Sequence, residues 1–134
     1  MAKLIPYIFS EDAKAQAEFY ISALGGEIQS LTTHGQLPEA TEATKDKVMH
    51  LCLLVAGVTL FMSDNFGDPI AHGNGSSLNL EFATEAEARD AFAKLADGGT
   101  VQHPLQQEFW GALFGQLKDK FGVAWMITSA ANQG

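Results

Sequence analysis

One spacing occurs twice in this chain. Phe19 to Gly25-Gly26 and Phe92 to Gly98-Gly99 are set out alike, at an offset of 73 positions. Each stretch has apolar residues at helical intervals and stops at paired glycines, which tolerate the left-handed backbone that commonly ends a helix. The same offset lays the short apolar run Leu4–Phe9 on Ser77–Phe82, and Gly57-Val58 matches Gly122-Val123 at an offset of 65 because the second half has shorter loops. The order strand, helix, three strands is stated twice. A whole supersecondary unit that recurs implies two modules sharing one sheet, here about 1–65 and 76–130 of a single domain.

In chain order, Leu4–Phe9 reads as a first strand, with Pro6 limiting its hydrogen bonding. Ser10 or Asp12 caps a helix through Leu24, and Ala13, Ala17, Tyr20 and Leu24 form one face. Glu27–Thr32 is a second strand. His34 to Lys47 is a long loop for a small domain, the kind that is mobile or functional. Val48–Val55 and Val58–Ser63 form a hairpin around Ala56-Gly57. A second loop, Asp64–Gly75, leads to the strand Ser76–Phe82.

Thr84-Glu85-Ala86-Glu87 is a capping box, and Ala88, Ala91, Phe92 and Leu95 form the apolar stripe of the helix it opens. Thr100–His103 starts a strand that Pro104–Glu108 interrupts or bends. The chain then closes on an aromatic hairpin, Phe109 to Met126, turning at Asp119-Lys120-Phe121-Gly122. Gly111 and Gly115 bracket a strand where a side chain would obstruct something nearby. Ala130–Gly134 is expected to fray.

With 46% apolar and 18% charged residues, the 134-residue chain can bury a sizeable core. A net charge of −8 with no basic run excludes a nucleic-acid partner. The longest apolar run, Val48–Met62, contains His50 and Gly57 and is too short for a membrane helix. No signal-peptide pattern opens the chain, and Cys52 has no second cysteine to bond with, so a cytoplasmic location is expected.

Pro6-Tyr7, Glu18-Phe19-Tyr20 with Gly25-Gly26, Met49-His50, Leu60-Phe61-Met62-Ser63-Asp64, Phe109-Trp110-Gly111 and Asp119-Lys120-Phe121-Gly122-Val123-Ala124-Trp125-Met126 run in order along nearly the whole chain. In these motifs the sequence resembles the vicinal-oxygen-chelate superfamily of glyoxalases, bleomycin-resistance proteins and extradiol dioxygenases, and within it the PhnB-like branch. The resemblance implies an α+β fold of glyoxalase/bleomycin-resistance type, in which two βαβββ modules curl into an incomplete barrel around a ligand cavity. It also implies a homodimer, as do the exposed edges of such a sheet. The branch often carries Arg two residues after the Trp-Gly pair; Leu113 stands there instead.

Metal-dependent members of the superfamily bring His, Gln or Glu ligands from the first and last strands of each half. Carried over by the repeat, those positions are near Leu4, Phe61, Ser77 and Met126, with Asn79 offered by a two-residue slip. None suits a hard or borderline divalent cation, so no metal or cofactor is expected. His34, His50, His72 and His103 show no ligand spacing. Alternation places His50 and Cys52 on the cavity side of their strand. They form a conceivable nucleophilic pair, or Cys52 is an inert thiol.

Facing logic adds Phe61, Ser77, Asn79, Glu81 and Met126 to the ligand-binding candidates. Glu81 would serve as a general base if enclosed, or face solvent at the sheet edge. Trp110, at a turn, stacks on a ligand or plugs the structure; Trp125 belongs to the core. Three functions stay open: a metal-independent small-molecule binding protein, a metal-dependent lyase, isomerase or dioxygenase of glyoxalase type, or a dimeric interaction protein whose cavity has no role.

Overall fold

Residues 1–130 are described by a computed structural model. The chain divides into two units, Met1–Ile70 and a second beginning at Ala71. The strands form two four-stranded sheets, one per unit, where the repeat implied a shared one, and neither sheet closes into a barrel.

Unit 1 contains β1 (Tyr7–Ser10), α1 (Ala13–Leu24), β2 (Gly26–Thr33), β3 (Val48–Val55) and β4 (Val58–Asp64). The sheet order is β1-β4-β3-β2, with β1 parallel to β4 and the other pairs antiparallel. Asp12 is the cap of α1, its carboxylate accepting from Ala15 N–H at 3.1 Å. Ala13, Ala17 and Tyr20 are fully buried, against a sheet face built from Ile8, Leu51, Leu53, Leu60 and Met62. Ala56 and Gly57 both take positive φ, 50° and 79°, which the tightest hairpin turn requires. Asp64 fastens the unit together: one carboxylate oxygen accepts from Ala13 N–H and the other from Val48 N–H, each at 2.7 Å.

Unit 2 contains β5 (Leu78–Phe82), α2 (Glu85–Leu95), β6 (Thr100–Gln107), β7 (Leu113–Lys118) and β8 (Ala124–Ser129). Its order, β5-β8-β7-β6 with β5 parallel to β8, repeats the first topology. Thr84 caps α2 by accepting from Glu87 N–H at 3.2 Å, and Ala88, Ala91, Phe92 and Leu95 are its buried stripe, as expected. They pack on a face containing Leu113, Leu117, Trp125 and Ile127. Asp119 is the clasp of the last hairpin. Its carboxylate, 3% exposed, accepts from Phe121 N–H, Val123 N–H and the Trp125 indole N–H at 2.8, 3.1 and 2.8 Å.

The paired glycines have the same physical cause in each unit. Gly25 and Gly98 take φ of 79° and 76°, turning the chain out of its helix. Gly26 and Gly99 then lie directly on the neighbouring strand, where an added Cβ would stand 1.8 Å from the Leu54 carbonyl oxygen and 2.2 Å from that of Lys118. No side chain fits at either place.

Several boundaries differ from expectation. The first strand begins at Tyr7, not Leu4, and Leu4 is exposed. Pro6 has no N–H to donate; its carbonyl accepts from Phe61 N–H, and the strand starts one residue later. β5 begins at Leu78, leaving Ser76 and Ser77 in the loop. β6 continues through Pro104, and register shifts at Val101/His103 and His103/Gln106 absorb the proline. Phe109 and Trp110 precede β7 in a turn closed by Gly111 N–H to the Glu108 carbonyl. Gly111 has open space around it and is needed for its φ of 97°, whereas a Cβ on Gly115 would come 2.7 Å from Phe92. The expected fraying of Ala130–Gly134 falls almost wholly outside the described residues.

Candidate functional site

Each sheet has a helix on one face and none on the other, and the candidate residues divide between the two helix-free faces. In unit 1, Tyr7 pairs with Phe61 and Phe61 with Cys52 across β1, β4 and β3. His50 stands two residues from Cys52 on the same side, because strand side chains alternate with a period of two. Tyr7, Phe9, His50 and Phe61 form one aromatic cluster. Ring centroids lie 4.8 Å apart for His50–Phe61, 5.2 Å for Tyr7–Phe9, 6.0 Å for Tyr7–His50 and 6.3 Å for Tyr7–Phe61. Tyr7 is 44% and Phe9 56% exposed. This is a continuous platform of ring faces and edges, open to a planar apolar group.

His50 and Cys52 share this face but are not hydrogen-bonded to each other. The Cys52 thiol points to Gln29 Oε1 at 3.5 Å. Tyr7 and Phe9 were not among the expected site residues. Their alternation with Ile8 was visible, but placing the strand three residues early kept them out of register with Phe61.

In unit 2, Asn79 pairs with Met126 and Met126 with Gln116, while Glu81 pairs with Thr128. The Thr128 hydroxyl lies 3.4 Å from Asn79 Oδ1. Glu81 is exposed on β5, the edge strand of its sheet. Trp110 is 53% exposed and meets Phe109 edge-on at 5.0 Å. Ser77 lies outside β5, on the wall of a cavity of about 270 Å³ between the Gly73–Ser77 loop and Gln102, Gln116, Lys118 and Ala124.

In unit 1 the loop 34–47 folds back on itself. His34 N–H donates to the Lys47 carbonyl and Gly35 N–H to that of Lys45. It frames a cavity of about 300 Å³ with Leu37, Ala40 and Phe66, and His34 meets Phe66 edge-on at 4.8 Å.

Of the positions carried over from the superfamily, Phe61 pairs with Tyr7 rather than Leu4, and Met126 with Asn79 rather than Ser77. Phenylalanine has no donor atom, neutral tyrosine and asparagine are weak ligands, and a thioether is soft, so the set does not fit a divalent cation. Among the described residues no group of three or more His, Cys, Asp or Glu side chains converges on a point.

Comparison with known proteins returns a family model described as 3-demethylubiquinone-9 3-methyltransferase, matched over residues 2–128. Protein PA1353 from Pseudomonas aeruginosa is 35% identical with a TM-score of 0.85, covering 98% of this chain and all of its own. A PhnB protein from Bacillus cereus is 26% identical with a TM-score of 0.80, over 96% of this chain and all of its own. Protein YjdN from Escherichia coli K12 is 28% identical, with 97% of each chain covered.

Proposed function

Since the chain belongs to the family described as 3-demethylubiquinone-9 3-methyltransferase, the PhnB-like branch of the vicinal-oxygen-chelate superfamily, we propose that it is a small-molecule binding protein working without a metal ion. The carrying observation is the aromatic platform of Tyr7, Phe9, His50 and Phe61 on the helix-free face of unit 1. Stacking there buries a planar apolar ligand. His50 supplies the polar contact that orients it, and Cys52 fills the floor as a small apolar group. The exposed aromatics and the free edges of each sheet also favour a homodimer, and the single thiol suits a cytoplasmic setting.

The activity in the family description is the competing enzymatic reading. It requires a methyl donor, and turnover of a labelled donor by the purified chain would replace the binding reading. A glyoxalase-type reaction competes in the same way and requires a metal.

The test is a titration of the full chain with a neutral naphthalene derivative, followed by aromatic NMR signals. Shifts at Tyr7, His50 and Phe61 are expected, and Phe61→Ala should weaken binding about tenfold through lost stacking area. Metal analysis and a chelator melting series accompany it. About one divalent ion per chain, with a lower melting temperature on chelation, would overturn the proposal.

A further inference from the structure

The cavity of unit 2 differs in chemistry from the platform of unit 1. Its volume is about 270 Å³, and its lining includes the exposed Ser76, Ser77 and Gln102 and the half-buried Gln116 and Lys118. Each of these five side chains carries a hydrogen-bond donor. None makes a side-chain hydrogen bond or ion pair within the chain among the described residues. Polar side chains gathered at one concavity are ordinarily satisfied by one another, by water or by a ligand.

The charge balance gives the sign of that ligand. The chain holds 16 acidic and 8 basic residues, yet no Asp or Glu lines this cavity. Lys45, Arg89 and Lys94 are each paired with a carboxylate, whereas Lys118 is not. Lys118 is half-buried at the end of β7 and lines the cavity, with no carboxylate within ion-pair distance among the described residues. The Gly73–Ser77 segment forms the opposite wall. Gly73 turns there with a φ of 74° and Gly75 has open space around it, so backbone N–H groups can approach a ligand without an intervening side chain.

We infer that this cavity is a binding site for a small organic oxyanion, a phosphate ester or a carboxylate, whose charged group is held by Lys118 and surrounded by the Ser76, Ser77, Gln102 and Gln116 side chains. Ligand pockets for drug-sized molecules start at about 300 Å³, so the occupant is of fragment size. Lysine serves as a point charge that accepts either oxyanion geometry, and the two sources are separated by experiment.

The inference does not rest on the proposed function, and its test reads residues of unit 2. The full chain is titrated with phenyl phosphate, benzoate and benzyl alcohol while backbone amide signals are followed by NMR. The two anions should shift signals over 73–77 and 116–118, leave Tyr7 and His50 in place, and weaken with added salt. The tighter of the two names the natural group. Benzyl alcohol, equal in ring but uncharged, should leave those signals unmoved.

Lys118→Met should weaken anion binding at least about tenfold, the size of a hydrogen bond to a charged group, with Lys118→Arg staying within about threefold of the native chain. Melting curves of both variants verify folding. The inference is overturned if neither anion shifts the 73–77 signals, if benzyl alcohol shifts them equally, or if folded Lys118→Met binds phenyl phosphate and benzoate as well as the native chain does.

Discussion

Strand position gives the two helix-free faces a residue-by-residue correspondence. Where β1 and β4 carry Tyr7 opposite Phe61, β5 and β8 carry Asn79 opposite Met126. Two residues along, Phe9 opposite Ser63 corresponds to Glu81 opposite Thr128. On the adjoining strands, Cys52 beside Phe61 corresponds to Gln116 beside Met126. The helix-facing sides show no such divergence: Leu51, Leu53, Leu60 and Met62 in one unit and Leu117, Trp125 and Ile127 in the other are all buried and apolar. Burial against a helix constrains a side chain in both copies, whereas the open face leaves it free to change in chemical kind. One frame thus supports an aromatic platform and a polar cavity.

The frame's equivalence is most exposed to test at the second glycine of each pair. Gly26→Ala and Gly99→Ala should each destabilise by about 3 kcal/mol or more, since the new methyl meets backbone atoms that cannot move aside. Urea denaturation of the two variants would break the comparison if one were tolerated. A smaller effect separates the hairpins. Unit 1 turns in the two residues Ala56-Gly57, while the longer turn of unit 2 depends on Asp119. Asp119→Ala should cost about 2–3 kcal/mol by stranding the buried Trp125 and Val123 donors. Tryptophan fluorescence alongside denaturation would report it, and a loss below about 1 kcal/mol would remove the clasp from the account.

The smallest difference concerns the helices. α2 carries the exposed pairs Arg89–Glu85 and Lys94–Asp90, at 3.8 and 3.1 Å, whereas α1 has no acidic residue in its first turn and no basic one in its last. Asp90→Asn should cost about 0.3 kcal/mol, screened away in high salt. A salt-independent loss near 1 kcal/mol would mean that the pair does more than decorate the surface.

The sequence was informative wherever a local rule decides the outcome. Helix ends follow from Asp12, Thr84 and the glycine pairs, and the β3–β4 turn from Ala56-Gly57, because capping and positive φ need only nearby atoms. Strand starts were less legible. An apolar run such as Leu4–Phe9 does not say which residue finds a partner; the missing N–H of Pro6 decides it, and Phe61 completes the choice from far along the chain. That shift also hid Tyr7 and Phe9. Lys118 escaped notice for a related reason: its role depends on the Gly73–Ser77 loop, whose path no periodicity encodes. Asp119 was legible as a turn residue, though its hold on the Trp125 indole was not.

The loop from His34 to Lys47 is pinched at its neck, with the His34 amide bonded to the Lys47 carbonyl at 2.9 Å. A closed neck isolates whatever lies beyond it. Residues 36–44 can be lengthened, trimmed or exchanged without pulling β2 and β3 out of alignment, because the ends stay tied as they were. This makes the segment a convenient place for grafting a foreign peptide.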